Sequence, residues 1–402
     1  MNKIVEKSFL LPAAAMIVAL MNYPITSQAM AEDASGPSTS SNTFASDNDH
    51  DAGLELFADL TGPMLRGLTM SSDGRMFVTF PRFDGATPYT VAELVSGKVV
   101  PYPDTEMNRV DLKNPAEHII SVMSAVVDNK DRLWIADSAR VMMTPLQSAT
   151  KLVGIDLKTN KVFKTISLPA GLTTKNSVLH DLRFDASKGK DGVIYISDSA
   201  PMGQSAIIVV DVATGKCQRR LSGHSSVQAE AEFIPFIQGR PMLRTTPDTV
   251  QGEYPVGVSG LAVKPNSNIL YYCPQASRQL FSVDTSLLCD PTKSEFLVEQ
   301  SVKNLGPKSG ASDGLECDKD GNLYFTDFEN STVWRRTPKG TIEKVVHDTR
   351  LVWPDSLWIG ADGFLYITSS QFNQLAQFNK GSDLRSKSYQ IYRYKLASTQ
   401  AK

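Results

Sequence analysis

Six residues in this chain stand at equivalent places in a repeated pattern, and four of the six can carry charge or coordinate. They are Arg66, Met123, His180, Ser259, Asp313 and Asp355, spaced 42 to 79 residues apart. Two carboxylates near one imidazole are the material of proton transfer, because imidazole titrates near neutrality and a carboxylate can hold or release its partner proton. Two carboxylates also suit an amine or a hydroxyl, while a guanidinium can orient an acid or anchor the carboxylates themselves. His180, Asp313 and Asp355 are therefore the candidate catalytic groups. Arg66, His180, Asp181, Ser259, Asp313 and Asp355 are the candidate ligand-binding set. A plainer reading stands beside it. An Asp in a DG or PD context often caps a turn and satisfies backbone amides.

The elements that position these residues are short hairpins. From Ser312 to Asn330 the chain reads SDGLECDKDGNLYFTDFEN, two strands around the turn Lys319-Asp320-Gly321-Asn322. Such a turn needs the positive φ that glycine supplies. The pattern recurs as RGLTMSSDGRMFVTF from Arg66, MSAVVDNKDRLWIADS from Met123 and HDLRFDASKGKDGVIYISDS from His180. It returns as SGLAVKPNSNILYYC from Ser259 and PDSLWIGADGFLYITSS from Pro354. A second strand pair follows most hairpins, as at Leu152–Leu157 with Val162–Leu168, and Ile207–Val212 with Cys217–Leu221. Each unit is thus four strands joined by short turns, too small to bury a face alone. Six such units predict an all-β, six-bladed β-propeller over residues 54–398. The last unit lacks a fourth strand, and the orphan strand Leu54–Leu60 is the natural filler. Pairing the two closes the ring and removes its open edges. The aligned residues then ring one mouth of the central channel.

Apolar residues make up 41% of the 402, enough for a substantial core, and no run of helical period reaches ten residues. A net charge of −2 without basic runs gives nucleic acid no purchase. Residues 1–31 have the layout of a signal peptide: Lys3 and Lys7, the apolar stretch Phe9–Met21, then Ala29-Met30-Ala31. Residues 32–53 read as a disordered polar linker. The expected protein is secreted or periplasmic, a monomer, and free of the membrane once the signal is cleaved. Export permits disulfides, but the pairing of Cys217, Cys273, Cys289 and Cys317 is open, and their spacing does not suit zinc. Between the third and fourth units runs a long segment to Val258 with four prolines and with Phe233, Phe236, Met242 and Tyr254. It reads first as packing and second as a lid over a pocket.

The runs IYISDSAPMGQSAIIVVDVATGK, ILYYCPQASRQLFSVDT, ASDGLECDKDGNLYFTDFENSTVWR and WPDSLWIGADGFLYITSSQ resemble bacterial members of the major royal jelly protein/yellow family. The resemblance covers about Leu54 to Leu396 and implies a secreted six-bladed propeller. It implies no single chemistry. Some animal members resemble dopachrome tautomerases, some bind small amines in the central pocket, and others are storage or signalling proteins. The fold is shared with gluconolactonases and regucalcin-type lactonases. In those a divalent metal sits in the channel on a Glu, Asn residues and an Asp in a DG context. Here Asp313 matches the Asp, His180 and Ser259 stand at Asn positions, and Arg66 replaces the Glu. A cation there disfavours a hard divalent metal, so no cofactor is assigned. The sequence expectation is a propeller that binds a small polar or aromatic molecule. The alternatives are an enzyme on the same site, as lactone hydrolase or tautomerase, or a scaffold if the ring is wholly paired within itself.

Overall fold

Hairpins whose apolar runs are buried on both faces dominate the computed structural model, which describes residues 50–83, 87–142, 144–146 and 149–397. All of these belong to one unit, Ala45–Lys402. The signal-peptide stretch and most of the polar linker lie outside the described residues. The last linker residues are tied down. The Asp51 amide donates to Asp348 Oδ2 at 3.0 Å, and His50 Nδ1 lies 3.1 Å from Asp348 Oδ1.

Six four-stranded antiparallel sheets form the six blades. Their innermost strands are Leu68–Met70, Val122–Val127, Leu179–Asp185, Val258–Val263, Leu315–Cys317 and Pro354–Ile359. Strands one and two of a blade lie between neighbouring blades, so Val122–Val127 and Val193–Asp198 are buried throughout. The outermost strand Lys161–Ser167 buries only Ile166. Side chains interlock between adjacent blades; Phe77 and Val91 of the first, for example, pack with Val122, Leu133 and Ile135 of the second.

The ring closes as its missing strand implies. Leu54–Thr61 pairs antiparallel with Ser388–Lys395, from Leu54 opposite Tyr394 to Thr61 opposite Ser388, as the outer edge of the sixth blade. Two short helices, Thr285–Leu288 and Glu295–Gln300, interrupt the fourth blade before its outer strand. At four and six residues they are too short to show a helical period, and the sequence does not betray them. No helix among the described residues is long and apolar enough to cross a membrane. Cys217, Cys273, Cys289 and Cys317 are all free thiols.

Candidate functional site

The aligned residues converge because each begins an innermost strand that must pass very close to its neighbour. In five blades the next residue is small: Gly67, Ser124, Gly260, Gly314 and Ser356. A Cβ on Gly314 would sit 2.1 Å from the Asp355 carbonyl oxygen, and one on Gly260 would sit 2.6 Å from that of Asp313. Hydroxyls on the second strands stitch the same places. Thr79 accepts from the Gly67 amide at 2.9 Å and donates to the Met123 carbonyl of the next blade at 2.6 Å. Ser197 does the same between the Asp181 amide and the Ser259 carbonyl, and Thr368 between the Ser356 amide and the Arg66 carbonyl. The ring is therefore held by backbone, and its side chains are free to face the axis.

Arg66 is the hub. Its Nη2 lies 3.1 Å from both Asp313 Oδ2 and His180 Nε2, and its Nη1 lies 2.6 Å from Asp355 Oδ2. His180 Nε2 is 3.5 Å from Asp313 Oδ1. All four side chains are buried. Neither acid caps a turn; both turn toward the guanidinium. Burial opposes the charge of Asp313, yet Arg66, His180 and a 2.8 Å bond from Trp353 Nε1 outweigh it and hold its pKa below the ordinary value. Burial raises Asp355 well above that value, against Arg66 and with the help of the Asp313 charge. Two carboxyls sharing one cation are thus pushed in opposite directions, Asp313 down and Asp355 up. Burial also pulls His180 down to about 4 despite Asp313, with Arg66 adding to the fall. The imidazole is neutral, and its Nε2 accepts the bond from Arg66.

This layer is not an open mouth. Phe372 lies over the Arg66 guanidinium, 5.1 Å from ring centroid to Cζ. Tyr254, from the long segment before the fourth blade, packs on Phe372 at 5.8 Å and on Phe378 at 5.2 Å. Phe83 meets Phe372 from the first blade. The long segment thus serves both of the roles its sequence suggests: Phe233, Ile237 and Met242 enter a core cluster while Tyr254 covers the channel. Beneath the cover, about 20 Å³ of free space lies above the Arg66 layer and another 20 Å³ below it, room for a single water in each.

Not every candidate faces that space. The Ser259 hydroxyl is buried against the Asp313 carbonyl at 3.4 Å. Asp181 does border the lower cavity, but it accepts from Ser124, Arg183 and the amides of Leu182 and Leu261, which ties three blades together below the ring. Met123 lines both small cavities. Trp353, Tyr254 and Phe372 escape a reading based on repeats, since all three lie in connections. Trp353 carries one signal only the structure shows: a φ of +57°, rare for a bulky side chain, which aims its indole at Asp313.

A sequence profile described as Major royal jelly protein matches residues 120–401. The chain belongs to the major royal jelly protein family. It is 29% identical to major royal jelly protein 1 of Apis mellifera over 297 residues, covering 69% of this chain and 62% of that protein. Against protein yellow of Drosophila madeirensis it is 27% identical over 332 residues, 74% of this chain and 54% of that one. The chain thus spans between about half and three fifths of these relatives' length. Among solved structures, a luciferin-regenerating enzyme aligns with TM-score 0.52 at 14% identity, over 86% of this chain and 95% of that one. A calcium-binding regucalcin of Agrobacterium tumefaciens aligns with TM-score 0.51 at 14% identity, over 85% and 93%. Identities this low speak for the shared propeller alone.

The channel of this royal jelly family propeller does not fit the divalent metal of the regucalcin-like fold. The Arg66 guanidinium occupies the space between Asp313 and Asp355 that a cation would take. Among the described residues, no group of three or more His, Cys, Asp or Glu side chains is placed to hold an ion.

Proposed function

We propose that this family member is an exported protein that binds a small polar or aromatic molecule in its central channel, against Arg66, His180, Asp313 and Asp355. One observation carries the reading. Arg66 Nε is buried without a hydrogen-bond partner among the described residues, and the buried Asp313 Oδ1 and the Arg66 Nη1–Asp355 Oδ2 pair are met only by contacts that are long or not aligned as hydrogen bonds. An unmet buried polar group costs about 1–3 kcal/mol, so a ligand that offers these groups aligned hydrogen bonds gains part of that. The aromatic cover supplies the other half of the recognition, since Tyr254, Phe372 and Phe83 offer ring faces above the polar layer. Space for one water admits no organic molecule, so binding requires the cover to move. Three connections carry that cover, and strained backbone at Trp353 and Gln371, with φ of +57° and +55°, lies at the base of the one that bears Phe372.

A second reading has an observation of its own. An Asp355 whose pKa burial raises, an Asp313 whose pKa Arg66 lowers and the His180 imidazole lie within one layer, and carboxyls pushed apart in this way are the material of the acid and base that a tautomerase requires. A metal-assisted lactonase has no comparable support. Thermal-shift screening of amines, catechols and lactones, with and without chelator, separates the three. Asp313→Asn should weaken a cationic ligand by about 1.5–3 kcal/mol, the scale of a charged hydrogen bond. If no compound shifts wild type differently from Asp313→Asn, the ring is structural and the binding reading fails. Turnover of a hit, lost in Asp355→Asn, would move the conclusion to the enzyme.

A further inference from the structure

Outside the channel's cover lies a groove of about 710 Å³, within the range of small-molecule sites. The long segment before the fourth blade forms one wall and the connection after Ser369 forms the other. Ile237 and Met242 are buried in its floor and Phe378 is half-buried, while Val250 and Leu384 stand at the rim 62% and 58% exposed. Such apolar exposure on two facing rims marks a surface that gains by being covered. The polar part is one-sided. Arg240 and Lys380 line the groove, and no acid among the described residues does. Both side chains are exposed, and neither enters an ion pair or side-chain hydrogen bond with the described residues. The nearby acid Asp383 is already paired with Arg385 at 2.7 Å.

We propose that this groove is a second binding site, for a small amphipathic carboxylate whose chain lies on Ile237, Met242, Phe378 and Leu384 and whose head group meets Arg240 and Lys380. The apolar floor favours the chain by burial, and two unpaired cations without a competing acid select an anion over an alcohol or an amine. The site is distinct from the ring of the central channel: Phe378 and the rings it packs against separate the two.

Calorimetric titration of the full chain with monomeric decanoate, decanol and decylamine tests the assignment. Decanoate should bind at least about tenfold more tightly than either neutral or cationic analogue, the lower edge of a charge-assisted contact. Arg240→Gln/Lys380→Gln should reduce decanoate to the level of decanol with an unchanged melting temperature, because both positions are exposed. Val250→Ser, at the exposed apolar rim, should weaken all three compounds. Asp313→Asn should leave decanoate affinity unchanged, so that failure of the central-channel reading and failure of this one are told apart. Absence of decanoate binding, equal affinity for the three compounds, or unchanged affinity in the double variant would overturn the proposal. Loss of decanoate in Asp313→Asn, or binding seen only with phosphatidylglycerol vesicles, would overturn it as well.

Discussion

His180 offers the sharpest test of the electrostatics in the ring. Arg66 donates to its Nε2 at 3.1 Å, and a protonated imidazole could not accept that bond. Protonation would also bring two buried cations face to face, with Asp313 at 3.5 Å as the only nearby anion. Burial and Arg66 accordingly lower the pKa from its usual 6.5 to about 4. The sign follows from linkage. The unfolded chain takes up the proton near pH 6.5 and the folded one only near 4, so the native state is fully favoured above 6.5 and loses ground as pH falls between these values. At about 1.4 kcal/mol per pH unit, the total available is roughly 3 kcal/mol. Urea unfolding at about pH 7 and about pH 4.5 should show wild type losing about 2–3 kcal/mol more than His180→Gln, whose amide oxygen can still accept from Arg66. Carboxylates that titrate in the same window cancel in the difference. The Cε1–H resonance of His180, one of five histidines, should titrate near 4. A midpoint near 6.5, or equal acid loss in both proteins, would refute the picture of Arg66 bonded to a neutral imidazole.

Truncation through Leu60 should destabilise the fold by roughly 4 kcal/mol or more from Leu54 and Leu60 alone, at about 2 per large side chain, whereas truncation through Asp49 should cost under about 0.5; equal urea midpoints would disprove closure by this strand. Arg66→Met should cost about 3–5 kcal/mol by stranding Asp313, and Arg66→Met/Asp313→Asn should recover much of it, read as a double-mutant cycle in denaturant. Because burial raises the pKa of Asp355, a cation that pairs with it should bind more strongly as pH rises and release protons, measured by calorimetry in buffers of differing ionisation enthalpy.

The ring was legible because hairpin chemistry repeats. The turn at Gly321, with φ +80°, and the apolar run Leu323–Phe325 have counterparts in every blade, so alignment alone picks out Arg66, His180, Asp313 and Asp355. The small residue after each ring position was visible too, but its meaning needs coordinates, since only they show the neighbouring carbonyl at contact. The hydroxyl ties are harder to see. Thr79, Ser197, Thr326 and Thr368 share a register, yet Ala136 and Cys273 interrupt it, and a buried Cys reads as a filler until its neighbours are known. The cover lay beyond reach for a different reason. Tyr254 and Phe372 sit in connections without periodicity, where their positions depend on how two distant segments meet. Ser259 and Asp181 show the complementary limit. The place of Ser259 in the ring, and of Asp181 one residue after the His180 position, follows from alignment, but what they bond to is decided by neighbours far along the chain.

Charge balance explains how such a layer can be sealed at all. Burying an unpaired ion is prohibitive, and burying an ion pair seldom repays its desolvation. Arg66 is paired with both Asp313 and Asp355, and Phe372 closes on the guanidinium with a cation–π contact rather than leaving it to water. The pairing is not ideal in geometry, because Arg66 Nε has no hydrogen-bond partner among the described residues and the Nη1–Asp355 Oδ2 pair is not aligned as a hydrogen bond. A ring serving stability alone would do better with apolar side chains of similar volume, as replaced buried ion pairs show. On the proposed binding reading, the polar ring is kept because an incoming charged group can meet Arg66, Asp313 and Asp355 once the aromatic cover lifts.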